Sequence, residues 1–128
     1  MPAIDDMLDA IRAGAGIPEH LYAEGAVLDA TVPGWRLRAD GPTAITTEYG
    51  RWFAHPGRFE ELERRPFAAG DGELVTFLLT WEEDGVPHAA HHAHTVVLDD
   101  RGRIASDTVF CGGRWAAPLL AEMAAAAR

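Results

Sequence analysis

Residues 73–111 read ELVTFLLTWEEDGVPHAAHHAHTVVLDDRGRIASDTVFC, and the two turns inside this stretch decide the fold. Asp84-Gly85 is a strong two-residue hairpin signal, because such a pair tolerates positive φ and matches the twist of the flanking strands. It pairs Glu83 with Val86, and therefore Trp81 with His88, Leu79 with Ala90, Phe77 with His92 and Val75 with His94. The second turn, Asp99-Asp100-Arg101-Gly102, pairs Leu98 with Arg103; it sets His94 opposite Asp107, His92 opposite Val109 and Ala90 opposite Cys111. Side chains alternate faces along a strand, so one face holds Val75, Phe77, Leu79, Trp81, Ala90, His92, His94, Val96, Asp107, Val109 and Cys111. That face is apolar except for two histidines and one aspartate. The opposite face carries Leu74, Thr76, Leu78, Thr80, His91, Ala93, Thr95, Val97, Ser106, Thr108 and Phe110. A solvated sheet face is normally more polar, so a second copy of the chain is expected to pack there.

Outward from this core, strands are expected at about 58–67, 73–83, 86–98 and 103–111, and earlier at 26–32 and 35–38 around the Pro33-Gly34 turn. Ile4, Met7, Leu8 and Ile11 recur at helical spacing, and Gly14 and Gly16 stop that helix. Pro18–Ala23 reads as a short helix with proline in its first turn. Asp40-Gly41-Pro42 opens a longer helix carrying Ile45, Tyr49, Trp52 and Phe53, ended by Pro56-Gly57, and Ala116–Arg128 reads as a last helix. Helices first and strands later give an α+β domain, an antiparallel sheet covered by helices on one face.

The length of 128 residues suits one domain spanning 1–128. Twenty acidic against eleven basic residues leave a net charge of −9, which excludes the positive footprint that nucleic acid requires. All eleven cations are arginine. Cys111 is the single cysteine, so an intrachain disulfide is impossible. The N-terminal segment lacks a signal-peptide pattern and no long uncharged window spans a membrane, so a soluble cytoplasmic protein is expected.

The order of these elements, with Tyr22-Ala23 before the first strand and Gly102-Arg103-Ile104 opening the last, resembles the nuclear transport factor 2-like (cystatin-like) superfamily. Within it the chain is most similar to SnoaL-like polyketide cyclases and ketosteroid isomerases, over roughly Leu21 to Trp115. The resemblance implies a cone-shaped curved sheet enclosing an apolar pocket, and dimerisation through the sheet's outer face. It also implies active-site tyrosines at Tyr22 and Tyr49. The isomerases' general-base aspartate falls here on Ala30, beside Asp29, and their protonated aspartate falls on His94. The cyclases carry a late-strand Asp and His, roles that Asp107 and His94 would suit.

The residues themselves point the same way. A histidine and a carboxylate side by side on an apolar face make a general acid/base pair, or else a satisfied polar pair in a core. His94 is expected to carry the proton and Asp107 to orient it, with Tyr22, Tyr49 and His92 steadying oxyanion charge. Trp35, Trp52, Phe53, Val75, Phe77, Leu79, Trp81, Ala90, Val109 and Cys111 are the expected ligand-binding wall; the aromatics among them serve equally as core filler. Cys111 reads as a packed thiol rather than a nucleophile. Asp29 falls on the strand face opposite Leu28 and Ala30 unless a bulge re-aims it, so it is a secondary carboxylate candidate. His88 and His91 read as surface or interface residues. The expected activity is cofactor-free isomerisation, cyclisation or dehydration of a small hydrophobic carbonyl compound. A non-catalytic ligand-binding protein is the alternative, and a metal enzyme built on His92-x-His94 is the third.

Overall fold

The computed structural model describes residues 1–127. Helix α1 (Pro2–Ala13) is followed by a single 3-10 turn (Glu19–Leu21), strands β1 (Tyr22–Val32) and β2 (Trp35–Asp40), and helix α2 (Pro42–Trp52). Strands β3 (Gly57–Pro66), β4 (Gly72–Glu83), β5 (Val86–Leu98), β6 (Ile104–Cys111) and β7 (Trp115–Ala116) follow, and α3 (Ala117–Ala126) closes the order. Arg128, expected at the end of the last helix, lies outside the described residues. The segment expected to be helical at Pro18–Ala23 shortens to the 3-10 turn, because Tyr22 already pairs with Ile104 at the start of β1.

The curved, unclosed sheet has the order β2-β1-β6-β5-β4-β3, and β7 continues along β5 where β6 has ended. Pairing is antiparallel except between β1 and β6, which run parallel, so the sheet is mixed rather than wholly antiparallel.

The β4–β5 hairpin has the expected register over its whole length, from Glu83↔Val86 to Gly72↔Val97. Its turn uses positive φ at both Asp84 (50°) and Gly85 (76°), as a twist-matched two-residue loop requires. The β5–β6 register differs from expectation by two residues: His94 faces Val109, His92 faces Cys111, and Asp107 faces Val96. Two local causes add. The loop closes between Asp99 and Arg103, with the Asp99 carboxylate accepting the backbone N–H groups of Arg101 and Arg103. A bulge at Ala105 then inserts one more residue between the Leu98↔Ile104 and Val97↔Ser106 pairs. A slip of two leaves every side chain on its expected face.

The inner face is covered by α1 and α2. Ile4, Met7, Leu8 and Ile11 of α1 are buried, as are Ile45 and Tyr49 of α2. Gly14 ends α1 with φ 65°, and a Cβ there would sit 2.2 Å from the backbone of His55, so glycine also permits the helix end to abut the loop after α2. Helix α1 is tied to the sheet by charge. Arg64 donates twice to Glu73 (2.7 and 2.8 Å) and meets Asp5 of α1 at 2.7 Å. Glu73 is only 2% exposed, so its carboxylate depends on that guanidinium, and the two acids hold Arg64 charged above the ordinary arginine value. No helix of the described residues is long and apolar enough to cross a membrane.

This arrangement makes the two ends of the network unequal. Arg64→Met should cost roughly 2–3 kcal/mol, because it strands a buried carboxylate next to a partly solvated site. Asp5→Asn, at a half-exposed position, should cost under about 1 kcal/mol. Urea unfolding of the two variants checks this, and equal costs would contradict it.

Candidate functional site

The inner face forms a ladder of rungs from the narrow, helix-filled end to an open end. Val75, His94 and Val109 share one rung; Phe77, His92 and Cys111 share the next; Leu79 and Ala90 share the one after. Asp107 lies diagonally from His94 on β6, and an imidazole spans that distance. His94 Nδ1 lies 3.0 Å from Asp107 Oδ1. Tyr49, reaching down from α2, donates its hydroxyl to Asp107 Oδ2 at 2.5 Å. On the other side of the ring, His94 Nε2 meets His92 Nδ1 at 3.1 Å.

The partners assign the protons. Against a carboxylate, His94 Nδ1 carries a hydrogen and donates. With the hydrogen of His94 on Nδ1, its Nε2 accepts from His92 Nδ1–H, which leaves the lone pair of His92 on Nε2. Tyr22 Oη is the one buried side-chain polar atom without a partner among the described residues. His92 Nε2, which has no protein partner either, therefore reaches open space. That space is a cavity of about 320 Å³.

The cavity is walled by Val32 and Pro33 at the end of β1, by Arg51, Trp52 and Phe53 at the end of α2, and by Leu79, Trp81 and Ala90 from the β4–β5 hairpin. His92, Cys111, Gly113 and Arg114 complete it. Six of the expected wall residues thus line it: Trp52, Phe53, Leu79, Trp81, Ala90 and Cys111. Val75, Phe77 and Val109 do not; they lie deeper, packed in the core. Trp35 does not either, being 69% exposed at the start of β2. Of the five residues expected to act chemically, only His92 touches the cavity. His94, Asp107, Tyr49 and Tyr22 are sealed behind it, so His94 cannot itself meet a molecule held there. A period-two pattern reports which face a residue occupies and not how deeply the helices bury it.

Asp29 lies on the face that alternation gives it, opposite the buried Leu28 and Ala30, since the bulge in β1 falls before Val27; it pairs with Arg36 at 3.0 and 2.7 Å and takes no part in the cavity. Ala30, at the place of the isomerases' base, is buried and apolar. His91 is exposed, and His88 stacks on Trp81 at 5.8 Å between ring centres. Five lining residues escaped the sequence reading: Val32, Pro33, Arg51, Gly113 and Arg114. The signal available was positional, since all sit at turns or element ends beside the open end of the apolar face.

Electrostatics separate the two ends of the hydrogen-bonded chain. Burial, then the proximity of His94 and His91, holds the His92 imidazole well below its usual value, so it is neutral at physiological pH. Trp52, Phe53 and Phe77 ring it at 5.6, 5.5 and 5.0 Å. Burial, then the Asp107 charge, pushes both Tyr49 and Tyr22 upward, so both stay protonated. Burial likewise raises the Cys111 thiol, which therefore remains a thiol. His92, His94 and Asp107 do not converge on a common point, and among the described residues no group of three His, Cys, Asp or Glu side chains has metal-holding geometry.

The path of the strands and the open-ended cavity decide the fold when set beside known structures. A steroid delta-isomerase from Pseudomonas aeruginosa superposes with a TM-score of 0.61 at 17% identity, covering 86% of this chain and 77% of that one. The nuclear transport factor 2-like fold is the fold of this protein. A hypothetical protein with a ketosteroid isomerase-like fold from Catenulispora acidiphila, in complex with trimethylamine, gives 0.60 at 14% identity, with 86% and 85% of the chains covered. A cystatin-like protein from Silicibacter pomeroyi gives 0.58 at 19%, with 86% and 73% covered. No protein-family model and no curated protein matches the sequence. Within this nuclear transport factor 2-like frame, the two buried tyrosines face opposite consequences. Tyr22→Phe removes an unpartnered hydroxyl and should leave stability unchanged or raise it by up to about 1 kcal/mol. Tyr49→Phe removes a donor from a buried carboxylate and should cost roughly 1.5–3 kcal/mol. Thermal and urea melts of both variants provide the check, and a destabilised Tyr22→Phe would overturn the assignment of its hydroxyl as unpartnered.

Proposed function

We propose that the protein is a cofactor-free acid/base catalyst acting on a small, hydrophobic, carbonyl-bearing molecule, by isomerisation, cyclisation or dehydration. One observation carries the reading: a continuous hydrogen-bonded chain from Tyr49 through Asp107 and His94 ends at His92, on the wall of an apolar cavity. In this scheme His92 Nε2 takes a proton from the carbon beside the carbonyl. The C–H pair moves into the carbon–carbon bond of the enolate, and the negative charge goes to its oxygen. His92 passes its Nδ1 proton to His94 Nε2, so the positive charge moves next to Asp107 and away from the apolar wall. The relay then runs backward to return a proton to the substrate, at the same or another carbon. His94, Asp107 and Tyr49 are positioning residues here; the group that touches substrate is His92.

Deuterium uptake by β-tetralone or isophorone in heavy water, followed by proton NMR, tests this reading. The protein should accelerate exchange beside the carbonyl over buffer, and His92→Ala should lower the gain by roughly 10²–10⁴-fold. Because His92 is held neutral below the usual imidazole range, the rate per folded molecule should stay flat from about pH 8 to about pH 6. Asp107→Asn should slow exchange while leaving ketone binding within about threefold, since the apolar walls supply most of the binding energy. The second reading, a binding protein without turnover, draws support from the sealing of four of the five polar residues behind the wall. Binding of either ketone with no exchange above buffer would favour it and sink the catalytic reading.

A homodimer through the outer sheet face belongs to the same proposal. Phe110 is 60% exposed there, and Leu78, Ala93 and Val97 are only half-buried in one copy. Sedimentation at micromolar concentration should give twice the chain mass of 13.9 kDa, and Phe110→Glu should return it to the single-chain value. A wild-type monomer would remove the dimer from the proposal.

A further inference from the structure

Acidic residues outnumber basic ones twenty to eleven in this chain, yet no carboxylate side chain among the described residues lines the cavity. Among the described residues its only charged lining groups are Arg51 and Arg114. They come from different walls, Arg51 from the last turn of α2 and Arg114 from the segment between β6 and β7. Both are more than half exposed, at 72% and 56%, so both guanidinium groups stand at the mouth, with His92 at the inner wall.

Neither cation is used up by the fold. Arg51 has one ion pair, with Glu48 at 3.4 Å, and no hydrogen bond among the described residues. Arg114 is paired with Glu83 and lies over the Trp81 ring, 5.5 Å from its centre, so it is steered onto a cavity wall. Glu83 is shared further: it accepts from Trp81 Nε1 at 3.0 Å and lies 3.5 Å from His55. A guanidinium offers five donors, and one carboxylate neighbour leaves most of a fork free. Between the mouth and His92 the walls include Trp52, Phe53, Leu79, Trp81 and Ala90, so the charged donors are confined to the mouth.

From this polarity we infer that the natural ligand is a hydrophobic carboxylate, its anionic group held at the mouth by Arg51 and Arg114 and its apolar, carbonyl-bearing body directed at His92. The inference deepens the proposed function by naming the substrate class of the same cavity, and it rests on that cavity being the ligand site. A neutral ligand would offer no anion to the donors that Glu48 and Glu83 leave free on the two guanidinium groups. An anion placed at the mouth stays partly hydrated, so it gains charge-assisted hydrogen bonds without the cost of full burial.

Isothermal titration with β-naphthoate and its uncharged near-isostere β-naphthamide tests the inference without requiring turnover. At low ionic strength the acid should bind at least about tenfold tighter than the amide. The ratio should fall toward one in the Arg51→Met/Arg114→Met double variant and shrink as salt rises. Arg38→Met, at an exposed position paired with Asp40 away from the cavity, changes the net charge equally per site and should keep the ratio. An amide that binds as well as the acid, failure of both to bind, or a ratio untouched by the double variant would each overturn the inference. The catalytic reading fails separately, through absent deuterium exchange, and an anion preference can survive that result.

Discussion

Asp107 sits wholly out of water beneath the helices, where Tyr49 Oη and His94 Nδ1 each meet its carboxylate. A buried carboxylate without donors costs several kcal/mol, so both donors must be in place for the domain to close. One donor belongs to the sheet and the other to a helix. The requirement therefore does more than satisfy a charge: it fixes where α2 lies on β5 and β6. Trp52 and Phe53 follow Tyr49 by three and four residues, so the seating that satisfies Asp107 also sets the aromatic wall of the cavity. Interior and cavity are joined through one turn of helix.

The same bond organises the chemistry available at the wall. Asp107 selects the tautomer of His94, His94 selects that of His92, and the exposed lone pair on His92 is the remote result. The aromatic ring of Trp52, Phe53 and Phe77 around His92 resists a lasting positive charge there. In the proposed reaction, a proton accepted at the cavity consequently has a reason to move inward, toward the carboxylate, rather than to stay. Two histidines separated by one residue on a strand stand here in series, the outer one on the cavity wall and the inner one sealed behind it.

Local turn chemistry carried much of this into the sequence. Asp84-Gly85 permits only one comfortable loop, and the β4–β5 pairing follows from it rung by rung. The Asp99–Gly102 turn is less decisive: its closing pair depends on how the Asp99 side chain caps backbone N–H groups, and Ala105 bulges without any glycine to announce it. The His94–Asp107 contact survives both slips because together they preserve the face. The parallel pairing of β1 with β6 is not written locally at all, since it joins segments some eighty residues apart, in sequence only loosely constrained by patterning. Depth on the inner face is equally invisible. His92 and His94 are equivalent in the alternation, and only the docked helices distinguish the one that borders open space from the one that does not. Trp35 shows the converse: its size suggested a pocket, while its place at the start of β2 leaves it in solvent.

Trp52 and Trp81 both border the cavity, each with its indole N–H fixed by a carboxylate, Glu48 at 3.2 Å and Glu83 at 3.0 Å. Trp35 stands in solvent with no such restraint. The four tryptophans consequently differ as fluorophores: the cavity pair, whose excited state is shaped by whatever occupies the cavity, then Trp35, whose emission reports the solvent, and Trp115 of β7, half-buried off the cavity wall with its indole N–H on the Gly112 carbonyl at 3.1 Å. Added iodide reaches Trp35 far more readily than the cavity pair, so their light can be separated. The molecule carries its own optical gauge of cavity occupancy, independent of whether the occupant ever reacts.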